Sequence, residues 1–209
     1  MKIVAATTNS GKLREFKRLV KARRIEIEGL ADYPDVLLPP ETGTTYLENA
    51  ATKARAAAHA LGIAAIGDDS GLEVDAINGL PGVYSARFGS PDGNAKKNIA
   101  KLLRIMKGVE DGKRSARFRA CLVLVFPDSD NPGSWKEQAF EGVFEGSIAR
   151  QPAGKGGFGY DPIFISPRHA ACVADLTDEQ KDQISHRGRA MREMLDFIER
   201  NLLAHGIDT

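Results

Sequence analysis

The residues best suited to chemistry lie in one run, Ala65-Ile66-Gly67-Asp68-Asp69-Ser70-Gly71-Leu72-Glu73-Val74-Asp75. A short apolar segment, Ile63 to Ile66, ends in two adjacent carboxylates, a hydroxyl and a glycine; apolar residues then alternate with acids. The pattern predicts a buried strand that stops, turns and restarts as a half-buried strand. Carboxylates at the end of a buried strand stand where an α/β sheet opens its ligand crevice. Neighbouring aspartates repel each other, so a bound cation is a natural resident. Asp, Ser and Gly are also common turn formers, and a plain polar turn is the alternative.

A second group opens the chain. Lys2 to Thr7 reads as a short buried strand, followed by Thr8-Asn9-Ser10-Gly11-Lys12 and a helix with Leu13, Phe16, Leu19 and Val20 on one face. A small-residue loop at a helix start aims backbone N–H groups and a positive dipole end at one place, which suits phosphate. The first glycine of a P-loop is missing, and an ordinary helix start capped by Asn9 or Ser10 is the plain reading. A third group is the glycine-dense stretch from Pro152 to Pro162, containing Phe158, Gly159, Tyr160 and Asp161. Its glycines permit close backbone approach and its aromatics offer a stacking surface, unless it is simply a long surface loop.

The remaining elements must position these groups. Ile25 to Leu30 is a second strand, and Thr44 or Thr45 caps an Ala-rich helix to about Leu61 that packs through Leu47, Ala50, Ala54, Ala57 and Leu61. Glu48 and Lys53 on that helix read as surface charge, and His59 as an exposed histidine. Asn78-Gly79 signals a hairpin. Pro91 to Val109 reads as a helix, Arg114 to Phe126 as a long strand, and Trp135 to Phe140 with Gly142 to Ile148 as its return. Thr177 to Leu203 reads as one helix, capped by Thr177 with Gln180 and bearing Gly188 in its interior.

The chain has 209 residues, 42% hydrophobic and 27% charged, which suits a single domain, 1–209, of two lobes. A net charge of +1 gives no field that would drive binding to nucleic acid or membrane. Cys121 and Cys172 match no zinc spacing, and Cys121 reads as a buried reduced thiol. The opening residues do not form a signal sequence and no window approaches a membrane span, so a cytoplasmic protein is expected.

Thr7-Thr8-Asn9-Ser10-Gly11-Lys12, Gly67-Asp68-Asp69-Ser70-Gly71-Leu72, Phe158-Gly159-Tyr160-Asp161-Pro162 and Ser185-His186-Arg187-Gly188 occur together in this order. The set resembles the inosine triphosphate pyrophosphatase family, and most closely its bacterial members acting on xanthosine and inosine triphosphates. The resemblance runs from Lys2 to about Leu203. It implies an α/β fold with an elongated mixed β-sheet flanked by helices and two lobes with a nucleotide cleft between them. It also implies a homodimer and Mg²⁺-dependent hydrolysis of deaminated purine triphosphates to monophosphate and pyrophosphate. By that resemblance Thr7, Thr8, Asn9, Ser10, Gly11 and Lys12 hold the triphosphate, and Asp69 is proton acceptor and, with Glu41, metal ligand. Lys53, Ser70, Phe158, Gly159, Tyr160, Asp161, Lys181, His186 and Arg187 fall on substrate contacts. The first loop departs from the family in carrying Thr8 where many members have glycine.

These residues suit attack of water on the α-phosphorus, with Lys12 and Lys53 stabilising charge on the leaving pyrophosphate. His186 and Arg187, as donors, would accept a 6-oxo purine and confront the adenine amine with an unpaired donor, discrimination of about 10⁴-fold. Two other readings stand beside this one. One is a Maf-like pyrophosphatase of other modified nucleotides, against which the Ser185-His186-Arg187-Gly188 stretch argues. The other is a non-catalytic nucleotide-binding protein, against which the presence of Asp69, Glu41 and Lys12 argues.

Overall fold

The computed structural model describes residues 1–21 and 23–203. The opening strand β1 (Lys2–Ala6) pairs in parallel with β2 (Glu26–Gly29), the two joined by helix α1 (Ser10–Leu19). Helix α2 (Tyr46–Leu61) then leads to β3 (Ala65–Val74), which lies parallel to β1 on its other side. Asn78 and Gly79, both at positive φ, turn the chain into β4 (Pro81–Gly82), antiparallel to β3. After α3 (Ala95–Ile105) come two long strands, β5 (Ser115–Pro127) and β6 (Trp135–Ile148). The short strands β7 (Phe164–Ser166) and β8 (Ala171–Cys172) and the helices α4 (Asp178–Ile184) and α5 (His186–Asn201) complete the chain. The strand order is β2-β1-β3-β5-β6-β7-β8 with β4 against β3, a mixed sheet flanked by helices.

The chain divides into two compact units. The first comprises Met1–Asp69, Ala120–Gly142 and the chain from Arg187 onward; the second comprises Ser70–Arg119 and Val143–His186. In the first unit the sheet is covered on both faces, and the alternation of side chains along each strand sorts them. Ile3, Ala5, Ile66, Leu122 and Leu124 pack with Phe16 of α1, with Val20 that caps it, and with Met191, Met194 and Ile198 of α5. Ala6, Ala65, Cys121, Val123 and Val125 face the opposite way, onto Ala50, Ala54, Ala57 and Ala58 of α2. Strands buried on both faces read as continuous apolar runs, which is why these segments were legible. The second unit has its own core, where Leu72, Leu102, Met106, Phe118, Phe144 and Phe164 meet. No described helix is long and apolar enough to cross a membrane.

Several expectations are corrected. The acidic run does not stop and turn; β3 passes through it unbroken, because both carboxylates find partners while the backbone stays extended. The C-terminal helix is two helices, broken at Ser185, whose ψ of 157° is extended; Gly188 therefore lies in the first turn of α5. The third helix is shorter than expected because Asn94 caps it, accepting from the Lys97 N–H. Leu47 is exposed and not part of the α2 packing face, whereas Lys53 is buried. Thr8 needs no special backbone, since Asn78 and Ala170 are the described non-glycine residues at positive φ. Of the two candidates for the cap of α2, Thr45 fills the position, in a reciprocal box with Glu48, and the Thr177–Gln180 box is as expected.

The alanines of α2 let its backbone lie directly against β3. A Cβ added to Gly67 would come within 1.9 Å of the Ala50 carbonyl oxygen and 2.9 Å of the Ala54 nitrogen. Only backbone movement could relieve this, so Gly67→Ala should cost about 3 kcal/mol. Urea denaturation measures it; an unchanged midpoint would mean that α2 does not pack this closely.

Candidate active site

The strand carrying Asp68 and Asp69 sets the site's geometry. Successive side chains of a strand point to opposite faces, so the two carboxylates do not share one cation. Asp68 follows Ile66 onto the α1/α5 face, and Asp69 follows Gly67 onto the α2 face. Each is buried, and each is met there by partners from the helices of the same unit.

On the first face, Lys12 of α1 donates to Asp68 Oδ1 at 2.8 Å, and Arg187 Nε of α5 donates to Asp68 Oδ2 at 2.6 Å. Arg187 Nη1 also donates to Glu15, a buried acid on α1. Burial alone would raise the Asp68 carboxyl, but Arg187 and Lys12 outweigh it and hold Asp68 well below the usual carboxylate range. Burial lowers Lys12 despite Asp68, whereas for Arg187 the two carboxylates overcome burial and raise it. Two carboxylates, a guanidinium and the half-buried Lys12 ammonium thus form one network with no net formal charge.

On the second face, Asn49 Nδ2 donates to Asp69 Oδ2 at 2.9 Å. Lys53 Nζ lies 4.0 Å from Asp69 Oδ1, donates to Glu41 Oε1 at 2.6 Å, and reaches the Asp68 carbonyl at 2.6 Å. Burial raises the Asp69 pKa, with Lys53 and Asn49 opposing it. Asp69 is therefore the better proton acceptor of the two, and Asp68 the locked anion. Among the described residues no group of three or more His, Cys, Asp and Glu side chains forms a cage for a metal ion. Mg²⁺ does not require one, being commonly held by one or two carboxylates together with substrate phosphates. Glu41 and Asp69 fit that pattern: both are oxygen donors, and an ammonium already sits between them.

The opening loop serves α1 directly. Asn9 Oδ1 accepts from the N–H groups of Gly11 and Lys12, and Thr7 Oγ1 accepts from the Asn9 N–H. Thr8, Asn9 and Ser10 are exposed beside this helix start.

The second unit gathers the other predicted residues. Asp161 Oδ2 accepts from the Phe158 N–H at 2.8 Å and from Lys181 Nζ at 2.6 Å, and the Lys181 ammonium stands 4.4 Å from the centre of the Phe158 ring. Tyr160 donates its hydroxyl to the Ser85 carbonyl at 2.9 Å, and Gly159 has a φ of +62°. Gly157, at φ +70°, has no room for a side chain, since a Cβ would meet Asp161 Oδ2 at 2.2 Å. The stretch is thus a pinned loop, not a loose one. His186 is buried and stacks on Phe118, ring centres 4.9 Å apart. Ser70, half-buried, follows Asp69 at the start of the second unit.

A model of the Ham1 family matches residues 3–197. The chain belongs to the Ham1 family. It is 45% identical over 192 residues to the dITP/XTP pyrophosphatase of Geobacillus kaustophilus (strain HTA426), covering 92% of this chain and 91% of that protein. It is 45% identical over 197 residues to the dITP/XTP pyrophosphatase of Shigella flexneri, covering 94% and 98%. Among solved structures, a HAM1 protein from Coxiella burnetii aligns with a TM-score of 0.83 at 38% identity, over 96% of this chain and 99% of that one. The Ham1 membership agrees with the family read from the motifs and with the mixed α/β fold.

Sequence reasoning missed Glu15, Asn49 and Phe118. For two of them the signal was present: Glu15 stands three residues after Lys12, and Asn49 four residues before Lys53, spacings that share a helix face. Breaking a buried ion pair leaves an uncompensated charge, so Glu15→Ala should destabilise the fold by about 3 kcal/mol. Glu15→Gln, which keeps an acceptor for Arg187, should cost less. Urea unfolding of the two variants checks this; equal, negligible losses would mean that Arg187 needs only Asp68.

Proposed function

We propose that this chain hydrolyses deaminated purine nucleoside triphosphates (inosine, deoxyinosine and xanthosine triphosphates) to the monophosphate and pyrophosphate, with Mg²⁺. The observation that carries the reading is Asp69: a buried carboxylate with a raised pKa, one oxygen held by Asn49 and the other facing Lys53, with Glu41 on the same ammonium. The activity named for the relatives, at 45% identity over most of both chains, supports it.

Asp69 would accept the proton of the water that attacks the α-phosphorus. The new bond joins water oxygen to phosphorus, and the bond to the bridging oxygen of the β-phosphate breaks. Mg²⁺ bound by Asp69 and Glu41 would act as a Lewis acid that lowers the pKa of water and screens the phosphate charge. Lys12 and Lys53 would stabilise the negative charge gathered on pyrophosphate. The exposed Thr8, Asn9 and Ser10 at the start of α1 would receive phosphate oxygens at a positive dipole end.

In the second unit Phe158, Gly159, Tyr160 and Asp161, with Lys181, would hold base and sugar. His186 and Arg187 would donate to the purine 6-oxo group. Arg187 has a second task, already visible: Nε and Nη1 are engaged by Asp68 and Glu15. The homodimer and the cytoplasmic location belong to the same proposal; sedimentation should give twice the 22.6 kDa chain mass.

The test is separate assay of pyrophosphate and orthophosphate from inosine, xanthosine, adenosine, guanosine and thymidine triphosphates, with Mg²⁺ and with chelator. Pyrophosphate should appear from the inosine and xanthosine nucleotides and vanish with chelator; orthophosphate instead would exclude attack at the α-phosphorus. Arg187→Ala should weaken turnover of inosine triphosphate far more than that of adenosine triphosphate. That ratio is unaffected by any loss of folded protein, and equal losses would assign Arg187 to the charge network alone.

A further inference from the structure

Asn49 is 3% exposed, four residues into α2, on the buried face that it shares with Lys53 and the alanines. Nδ2 donates to Asp69 Oδ2 at 2.9 Å, while Oδ1 accepts from the Gly43 N–H at 2.9 Å. The contact with the loop is close, since a Cβ on Gly43 would lie 2.7 Å from Asn49 Oδ1. Gly43 stands two residues after Glu41, the partner of Lys53. One amide therefore grips both the carboxylate of Asp69 and the backbone of the segment that carries Glu41.

An Asp carboxylate rotates in a broad well about its last torsion. A donor on one oxygen fixes which oxygen faces the neighbouring charges. The amide supplies both the donor that Asp69 requires and the acceptor that Gly43 requires, which neither an apolar side chain nor a carboxylate does. Resting on the metal-site reading above, we propose that Asn49 is a positioning residue that holds Asp69 and the Glu41 segment at one fixed spacing for a divalent cation. In this role Asn49 acts through the two carboxylates.

The experiment measures Mn²⁺ affinity by electron paramagnetic resonance in the presence of imidodiphosphate, a non-hydrolysable pyrophosphate mimic. The parent chain, Asn49→Ala, Asn49→Leu and Asp69→Asn are compared, with thermal unfolding recorded for each. Asn49→Leu fills the space that Asn49→Ala vacates. Both Asn49 variants should bind Mn²⁺ at least tenfold more weakly than the parent while remaining folded. Affinity within twofold of the parent, in a folded variant, overturns the inference when Asp69→Asn has lost binding. If Asp69→Asn binds like the parent, the metal reading itself fails and this inference with it. If both Asn49 variants unfold, the parent decides: its Asn49 side-chain amide resonance should shift on Mg²⁺ titration with imidodiphosphate, and an unmoved resonance overturns the proposal.

Discussion

Two adjacent carboxylates on a strand covered by helices on both faces impose the constraint from which the site is built. Asp68 and Asp69 are consecutive, so the pleat sends them in opposite directions, and both directions lead into the interior. Burying an ion costs several kcal/mol even after relaxation. Attraction to a unit charge 4 Å away returns about 4 kcal/mol at an effective dielectric of 20. The two magnitudes are comparable, so partners are compulsory on each face. The helices supply them: Lys12 from α1 and Arg187 from α5 on one face, Asn49 and Lys53 from α2 on the other. The register of three helices on the sheet is thereby tied to a dipeptide.

Unequal compensation separates the two acids chemically. Asp68 has two cations in direct contact and is held as a permanent anion. Asp69 has a neutral amide at 2.9 Å and an ammonium at 4.0 Å, and burial dominates, raising its pKa. Environments that push paired acids apart are what divide catalytic labour between them. Lys53 joins the two halves of this arrangement, since the ammonium beside Glu41 and Asp69 also holds the Asp68 carbonyl. A shift of Lys53 toward a phosphate would loosen both carboxylates on its own face while leaving the Asp68–Arg187–Glu15 network in place.

The parts of the fold legible in sequence were those with a local signal. The apolar run of β1, the amphipathic face of α1, the helix cap at Thr44 or Thr45, the Thr177 capping box and the Asn78-Gly79 turn all depend on neighbours in the chain. The errors share a different cause. The run through Gly67 and Asp69 looks like a turn because its composition is that of a turn, while the groups that partner its carboxylates in the strand, Lys12, Asn49, Lys53 and Arg187, are far away in sequence. Lys53 looks like surface charge because nothing nearby in sequence announces Glu41 and the Asp68 carbonyl as its partners. The break at Ser185 is equally non-local: the apolar spacing on either side of it is compatible with one helix, and the extended ψ of that residue ends α4 and starts α5 anew. The roles of the site residues came from the ordered motifs, not from periodicity or composition.

The glycine-rich stretch shows how composition misleads in the other direction. Seven consecutive residues from Gln151 to Gly157 are exposed, as a loose loop would be. Yet the Gly156 N–H bonds the Ala174 carbonyl at 2.9 Å, the Ala153 N–H bonds that of Pro162 at 2.8 Å, and Gly154 lies so near Ala174 that a Cβ would stand 2.5 Å from its carbonyl carbon. Gly154 and Gly157 combine close approach with a positive φ, whereas Gly159, with open space around it, serves the turn of the backbone. Asp161 then draws the Phe158 N–H and the Lys181 ammonium onto one oxygen, and the ammonium lies over the aromatic ring. Ordering a loop on binding costs free energy that would be subtracted from affinity. On the proposed base-binding role of this stretch, a loop already ordered in this way would leave the binding energy of a base available for discrimination.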